Sequence, residues 1–346
     1  MLTNCNAFKY NLMMTQKYFV GVDVAKETLD FSLVYEGKVI SHASIQNELK
    51  TIKNLLKQWS KENQFKYSET LVCMEHTGIY SYHLVQFLQQ TECMICMEPA
   101  YTIKHSNGLQ RGKNDKIDSA RIAIFAWKNK ELLKEWKAPK SIVKRLKQLM
   151  SLRKNIIKSK LSLELYTNEL RGFSDKNSVK ELKQSCRKSI AALQKDKEAI
   201  EHKMVSLLQT DDEVHRIYKI LISVEGIGSI TAILFIVTTN AFTSFTEGKK
   251  YACYAGVVPF DYSSGKSIRG RNKVSHLANK EVKTALHMGA IALCCGKGEL
   301  GQFYQRKVAE GKNKMAVLNA VRNKIVLRAF SCVKNDRLYE KGRIVG

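Results

Sequence analysis

The first 130 residues of this 346-residue chain carry a succession of apolar patterns that few folds accommodate. Three short runs with strand character come first, separated by only a few residues, which predicts an antiparallel meander. Runs with helical and strand spacing then alternate. The segments are strands at 18–23, 29–35 and 39–45, a helix at 47–61, a strand at 71–75, a helix at 80–90, a strand at 93–97 and a helix at 115–130. The predicted order is therefore βββαβαβα.

An RNase H-like (RuvC-like) α/β domain has this order of elements, so we expect one over residues 18–130. In such a sheet the first and fourth strands lie side by side, and a later helix can pack across their ends. Asp23 ends the first strand and Glu75 ends the fourth. Asp115 and Asp118 lie three residues apart at the start of a helix and share one of its faces. The four carboxylates are therefore expected to converge.

Converging carboxylates repel one another unless cations lie between them. Two Mg²⁺ ions about 3.5–4 Å apart, with Mn²⁺ as the alternative, would suit such a cluster and would assist the cleavage of a phosphodiester. Asp115 taken alone is equally well explained as a helix N-cap, which is worth about 1 kcal/mol. Glu98 also ends a strand, but Glu75 is preferred because its strand should adjoin the first and because Gly78 follows it closely.

The strand signal disappears after about residue 138, and apolar residues recur at helical spacing in two long runs on either side of a loop at 172–178. These runs predict two long helices within residues 131–215, as an antiparallel or intermolecular coiled coil. Residues 140–203 carry 17 Lys and Arg against 7 Asp and Glu, a local excess of +10. That excess favours contact with nucleic acid, or dimerisation facing DNA, over a merely solvated helical surface.

The whole chain is strongly basic, since 57 Lys and Arg against 32 Asp and Glu give a formal net charge of +25. Such a charge on a chain that can fold predicts a polyanionic partner. No run of 18 apolar residues occurs, so no membrane span is expected, and the irregular tail at 1–17 lacks the pattern of a secretory signal. We therefore expect a cytoplasmic, nucleoid-associated protein. The nine cysteines should be reduced, and Cys93 and Cys96 are better explained by a buried strand than by zinc.

Residues 216–346 are predicted to form a third, mostly helical domain with two features that suit phosphate. The first is a turn through Gly226 and Gly228 between two helices. This is a helix-hairpin-helix pattern, in which backbone N–H groups can approach a phosphate closely. An ordinary turn between two helices is the alternative.

The second feature is a Ser-Ser-Gly turn at 263–265, which is followed by four basic residues. These are Lys266, Arg269, Arg271 and Lys273. The turn presents a hydroxyl next to positive charge, an arrangement that suits contact with a phosphate. The residues alone favour a flexible polar loop that binds backbone phosphate.

Three motifs of the N-terminal domain together resemble a known family. GVDVAK, MEHTGIY and KNDKIDSARIA look like the DEDD, RuvC-like domain of the bacterial insertion-sequence transposases of the one-hundred-and-ten family, to which Piv-type DNA invertases are related. The run from Gly256 through Pro259 and Ser-Gly to the helix at 279–291 is similar to the C-terminal serine domain of the same family. The resemblance covers about residues 18–340.

The resemblance implies a DNA transposase or site-specific recombinase that acts on donor and target DNA. It implies a serine nucleophile just before a glycine, which here is Ser264 with Ser263 as the alternate, and a 5′-phosphoserine intermediate. It also implies a structured noncoding guide RNA and a homo-oligomer, either a dimer or a tetramer. Because Ser264 lies far along the chain from Asp118, we expect the active site to combine the RuvC-like domain of one protomer with the serine domain of another.

Three other functions stay open at this point. A hydrolytic RuvC-like junction-resolving nuclease would use the same acids with water as the nucleophile. A non-catalytic nucleic-acid-binding protein would use the acids structurally. A tyrosine recombinase using Tyr254 or Tyr262 is the least favoured, since no arrangement of Arg and His accompanies these residues to activate a phosphate.

Overall fold

The computed structural model describes residues 16–76, 78–106, 114–260, 263–264, 268–270 and 273–340. The chain divides into two compact units, residues 1–138 and residues 139–346. The long helical hairpin lies in the same unit as the C-terminal helices, so the division into three domains stays a prediction.

The N-terminal unit is built on a mixed five-stranded sheet. Its strands in chain order are β1 (Tyr18–Val24), β2 (Thr28–Tyr35), β3 (Lys38–Gln46), β4 (Thr70–Glu75) and β5 (Met94–Glu98). They lie in the order β3-β2-β1-β4-β5. The first three strands pair antiparallel, whereas β1, β4 and β5 run parallel. The predicted meander and the predicted contact of the first and fourth strands are thus confirmed, and the sheet is consistent with a RuvC-like domain.

Helices cover both faces of this sheet. They are α1 (Leu49–Glu62), α2 (Tyr82–Leu88), α3 (Ala100–Ser106) and α4 (Asp115–Lys128). One face packs on α1 through Ile52, Leu56 and Trp59, and the other packs on α4 through Phe125. The central strands are therefore apolar on both sides, as expected of a sheet covered on two faces. The sequence did not indicate α3, because its seven residues after Pro99 are too few to show a helical period.

The C-terminal unit is mainly helical. Its helices are α5 (Ser141–Glu169), α6 (Lys176–Leu208), α7 (Asp212–Ser223), α8 (Ser229–Thr239), α9 (Gly248–Tyr254), α10 (Lys280–Cys294), α11 (Glu299–Ala309) and α12 (Lys314–Lys334). The two long helices α5 and α6 pack along each other, and Arg153 Nε donates to Glu201 Oε1 between them at 2.7 Å. They confirm the predicted helical hairpin, while a coiled coil between protomers stays a prediction.

Only one end of the hairpin enters the core of this unit. Leu146 and Met204 are fully buried there, whereas Leu165 is 56% exposed. The centre of the core is aromatic, with the Tyr251 ring packed between the rings of Phe235 and Phe330 at centroid distances of 5.0 and 5.1 Å. In the part of the chain that the structure describes, no helix combines the length and the apolar character needed to cross a bilayer.

Candidate functional site

Acidic residues occupy matching positions on four neighbouring strands of the sheet. Asp23 of β1 pairs with Asp30 of β2, and Glu75 of β4 pairs with Glu98 of β5. Since Val22 pairs with the residue before Glu75, Asp23 and Glu75 follow side by side on adjacent parallel strands. Residues opposite each other in a sheet point to the same face. The sheet therefore carries a row of four carboxylates on the face that α4 covers. We call this set the acidic row; its members are Asp23, Asp30, Glu75 and Glu98.

Helix α4 brings two further acids to this row, and Gly21 is the reason that it can. A Cβ at Gly21 would lie 2.2 Å from the backbone nitrogen of Ala123 and 2.3 Å from the carbonyl oxygen of Ser119. The helix thus lies directly on β1, two residues before Asp23, because glycine leaves no side chain between them. Ser119 also fixes the helix to the neighbouring strand, since its Oγ lies 2.8 Å from Ser32 Oγ in the buried interior.

The first turn of α4 carries Asp115 and Asp118. The N-cap is Asn114, whose Oδ1 accepts from the Ile117 N–H at 2.7 Å. The alternative of Asp115 as the N-cap is therefore wrong, because Asn114 provides that oxygen one residue earlier. Asp115 is exposed, and Asp118 accepts a hydrogen bond from Arg121 at 2.9 Å.

The electrostatics of Asp23 show how close these charges are. Burial raises the pKa of the Asp23 carboxyl, and the charges of Asp115, Asp118 and Asp30 raise it further, while a hydrogen bond from the Val24 backbone opposes the shift. Burial likewise raises the pKa of Glu98, against the attraction of Lys134. The row is thus a place where the protein disfavours negative charge unless a cation neutralises it.

Carboxylate oxygens are the ligands that Mg²⁺ and Mn²⁺ prefer, so the side chains fit a divalent ion by their chemistry. Among the residues described, however, no three His, Cys, Asp or Glu side chains stand close enough to share one ion. The specific metal and the number of ions stay predictions.

Sequence reasoning missed part of the acidic row. Asp30 is only 7% exposed, and its Oδ1 lies 3.9 Å from Nε2 of His42 on β3. Glu98 was considered an alternative to Glu75, yet the register places the two residues opposite each other. Side chains along each strand point alternately to the two faces of the sheet. This alternation places Asp30 and Glu98 on the same face as Asp23 and Glu75, but only once the pairing register of the strands is known.

Asn47 connects the segments that follow two of these strands. Its Nδ2 donates to the carbonyl oxygen of Ala25 at 3.0 Å and to that of Tyr80 at 2.8 Å. Ala25 comes two residues after Asp23, and Tyr80 follows Gly78, which has a φ of +81°. The left-handed backbone at Gly78 thus turns the chain after Glu75 back toward the end of β1.

The two glycines of the helix-hairpin-helix have different surroundings. Gly226 has a φ of +86°, and a Cβ there would lie 2.7 Å from Cδ1 of Leu293 in the core. Gly228 is the N-cap of α8 and has nothing within 4 Å of an added Cβ. The helix, turn and helix are confirmed. Gly226 is needed for packing, because a side chain there would meet Leu293. Gly228 has open space beside its Cα. Phosphate binding stays a prediction for both glycines.

The serine segment contains two short antiparallel pairings. Pro259–Phe260 pairs with Lys273–Val274, and Ser263–Ser264 pairs with Ile268–Arg269. The backbone thus places Arg269 opposite Ser263. Lys266 and Arg271 lie outside the described residues, as does Tyr262.

Both ends of this segment are fixed to the helical core. The Asn319 Nδ2 on α12 donates to the carbonyl oxygen of Val257 at 2.7 Å. At the other end, Asn279 donates through its backbone N–H to the carbonyl oxygen of Tyr254 at 2.8 Å, and through Nδ2 to the Tyr254 hydroxyl at 2.6 Å. The Tyr254 hydroxyl is therefore engaged in holding the segment.

Comparisons with known proteins agree with this arrangement. A transposase model of the DEDD type found in IS110 elements matches residues 20–172, and a model described as "Transposase IS116/IS110/IS902 family" matches residues 218–305. The pilin gene-inverting proteins of Moraxella lacunata and Moraxella bovis are each 23% identical over 330 residues, which cover 94% of this chain and 98% of theirs. An IS110 protein of Streptomyces coelicolor is 31% identical over 153 residues, covering 44% of this chain and 36% of its own.

Proposed function

The chain belongs to the IS116/IS110/IS902 family of transposases and is a DNA transposase or recombinase, and from this premise we propose that it cuts and rejoins DNA through a serine nucleophile assisted by divalent metal. The observation that carries the proposal is the acidic row with the first turn of α4 packed over it, on the same chain as the anchored serine segment. The acids alone would be sufficient for a nuclease that hydrolyses DNA with water. A serine nucleophile would instead keep the energy of the phosphodiester in a phosphoserine bond, so that the strands can be rejoined.

Ser264 is the proposed nucleophile, with Ser263 as the alternate. Its Oγ would bond to phosphorus as the bond from phosphorus to the 3′ oxygen breaks, and the hydroxyl proton would pass through solvent to that leaving oxygen. The product is a 5′-phosphoserine and a free 3′ hydroxyl. Attack by the 3′ hydroxyl of another strand would restore the serine and form a new phosphodiester without ATP.

Asp23, Glu75, Asp115 and Asp118 are proposed to hold the metal, Mg²⁺ by preference and Mn²⁺ as the alternative. Bound there, the ions would stabilise negative charge on the phosphate and on the leaving oxygen. Without them, burial and the charges of Asp115 and Asp118 raise the pKa of Asp23, and the same charges would repel a phosphate.

The basic residues of the serine segment are proposed to hold the DNA backbone near Ser264. Lys266, Arg269, Arg271 and Lys273 have the charge for this role, and Gly226 and Gly228 would add backbone contacts from the turn before α8.

The proposed partners beyond DNA are a structured noncoding guide RNA and further copies of this chain. A net charge of +25 supports more than one nucleic-acid partner, because A-form RNA is bound largely through its shape and backbone. Two relatives are named as inverting a pilin gene. Inversion of a DNA segment requires that strands be rejoined, and this favours the serine mechanism over hydrolysis for the present chain.

Trapping of the covalent intermediate tests the proposal. A DNA substrate nicked a few nucleotides to the 5′ side of the cleavage site would release the short fragment that carries the 3′ hydroxyl and leave the protein attached to the 5′ phosphate of the remaining DNA. We expect a Mg²⁺-dependent adduct whose phosphopeptide contains Ser264, and its loss in Ser264→Ala and in Asp23→Asn. Ser263→Ala is the matched control and should retain the adduct. Strand cleavage that persists in a variant lacking both serines would contradict the mechanism and support a hydrolytic nuclease.

A further inference from the structure

Exposed aromatic rings on the N-terminal unit are concentrated at the edge that carries the acidic row. Among the residues of this unit that the structure describes, the exposed Tyr, Phe and Trp rings are those of Tyr80, Tyr82 and Tyr101, at 40%, 49% and 49%. The exposed histidines of the same residues lie in the same stretch of chain. They are His76, His83 and His105. We call these six side chains the ring cluster.

The ring cluster lies in the two segments that leave the acidic ends of β4 and β5. His76 directly follows Glu75, and its backbone N–H donates to the carbonyl oxygen of Glu98 at 3.2 Å. Tyr101 follows Glu98 by three residues, and its ring stacks on that of His105 with centroids 3.7 Å apart. These contacts join the start of both segments to the end of the acidic row.

The backbone of Tyr80 is also held in place by a hydrogen bond. Its carbonyl oxygen accepts from Asn47, which also donates to Ala25 just after Asp23. Tyr80 is thus held at the point where β1 and β4 end, while its ring stays 40% exposed. An anchored backbone with an exposed ring is the arrangement expected of a residue that contacts a ligand rather than the core.

The charge at this edge indicates which part of a nucleic acid the rings contact. Carboxylates repel phosphates, whereas an uncharged ring attracts the flat face of a base whatever its sequence. Two exposed lysines occur in the same part of the chain: Lys104 precedes His105, and the carbonyl oxygen of Lys26 accepts from Asn47, which also holds Tyr80. They can neutralise the phosphates on either side of a stacked base.

We propose that the ring cluster binds unpaired bases of the DNA strand next to the phosphate that is cut. The inference rests on the proposed function and adds to it the form of the substrate. In a duplex the base faces are already stacked on each other, so rings gain access to them only where the strands are separated. The DNA at the acidic row is therefore opened locally, with one or two bases held on Tyr80 and Tyr101.

Binding to two DNA molecules of the same sequence tests this proposal. One is fully paired, and the other has a three-nucleotide bubble containing 2-aminopurine, whose fluorescence falls when it stacks on a ring. Ser264→Ala protein is used with Ca²⁺ in place of Mg²⁺, so that the acidic row is neutralised and no strand is cut. Anisotropy gives the affinity for each DNA and for an RNA duplex with the same bubble, and 2-aminopurine fluorescence reports stacking.

We expect Tyr80→Ala and Tyr101→Ala each to weaken binding to the bubble by about 5- to 150-fold, with loss of the quenching. Binding to paired DNA should change less than about twofold. Tyr80→Phe and Tyr101→Phe keep the ring and should bind the bubble normally, as should Leu132→Ala, which removes an exposed side chain from the same unit.

Three outcomes would overturn the inference. Tyr→Ala variants that bind the bubble as well as the parent protein would show that the rings do not hold bases. Equal losses on both DNA molecules would show a general effect on DNA binding, and a loss confined to bubble RNA would show that the rings serve RNA. The covalent adduct at Ser264 tests the proposed function separately, so failure of the tyrosine variants alone leaves that function intact.

Discussion

Asp23 lies at a position where its surroundings oppose a negative charge. It lies at the end of a buried strand, and the carboxylates of Asp30, Asp115 and Asp118 all raise its pKa in addition to burial. Such an arrangement lowers the stability of the folded protein and persists only where the charge has a use. The same logic makes Asp23 a sensitive probe of metal binding.

The stability of Asp23→Asn should exceed that of the native chain at pH 7 in EDTA. The pKa of Asp23 in the folded state is above its ordinary value of 3.8, so the folded state binds the proton more tightly. The native chain therefore loses stability from this group as pH rises from about 3.8 through the raised pKa. The asparagine of the variant carries no charge, so the variant does not lose this stability as pH rises. The difference in melting temperature between the variant and the native chain should vanish near pH 3.5, where the Asp23 carboxyl is protonated in the folded native chain.

Addition of Mg²⁺ should reverse this order by stabilising the native chain more than Asp23→Asn. Asp175→Ala is the control with the opposite sign, because Asp175 caps α6 and hydrogen bonds from Ser178 lower its pKa. Its loss should lower the melting temperature at pH 7 to the same extent with and without metal. A melting temperature of Asp23→Asn below that of the native chain in EDTA would contradict the account of Asp23.

Residue patterns were sufficient to predict Asp23, Glu75, Asp115 and Asp118 as site residues, but not to show which other acids lie beside them. Each of the four ends a strand or begins a helix, and such positions can be read from local periodicity. Asp30 could not be found in this way, because it lies near the start of its strand and joins the row only through pairing with Asp23. Side-chain convergence depends on strand register, which no local pattern contains.

At the scale of elements, the placement of α4 on β1 decides whether the acids meet. The close contact at Gly21 lets the helix backbone touch the strand. The Ser119 and Ser32 hydroxyls then hold the helix in place from the adjacent strand. The helix itself was predictable from its sequence, but its distance from the sheet depends on one missing side chain.

Gly21→Ala should therefore separate α4 from the sheet. Its Cβ would meet backbone atoms of α4 at 2.2 and 2.3 Å, which cannot be relieved by rotating a side chain. We expect a loss of about 1–3 kcal/mol in the free energy of unfolding, measured by urea denaturation, with loss of strand cleavage. Gly228→Ala adds the same methyl group where nothing lies within 4 Å, and should cost less than about 1 kcal/mol. Native stability and cleavage in Gly21→Ala would refute the role of this contact.

At the scale of the whole molecule, the acids and the serine belong to different compact units. The whole chain is strongly basic. The local excess of positive charge on residues 140–203 lies on the long hairpin, which separates the acids from the serine in sequence. The proposed assembly of several copies on nucleic acid would let each copy provide acids to one site and a serine to another.

Mixed protomers test that arrangement. Asp23→Asn and Ser264→Ala should each abolish recombination alone, and a mixture of the two should recover part of it through sites that combine an intact acidic row with an intact serine segment. Recombination of a marked DNA segment is the measurement, and a single chain carrying both substitutions is the control. A mixture as inactive as its components, with mixed oligomers demonstrated by pull-down, would contradict a shared site.

The sequence by itself determined the strands, the long helices, the basic character and the four acids, because each depends on local periodicity or on composition. It also carried the motifs that place the chain in its family. Only the tertiary structure decided that Asp30 and Glu98 belong to the acidic row, that Asn114 rather than Asp115 caps α4, and that the exposed rings gather at one edge. The physical reason is that register, close packing and the direction of a turn are set by contacts between residues far apart in the chain.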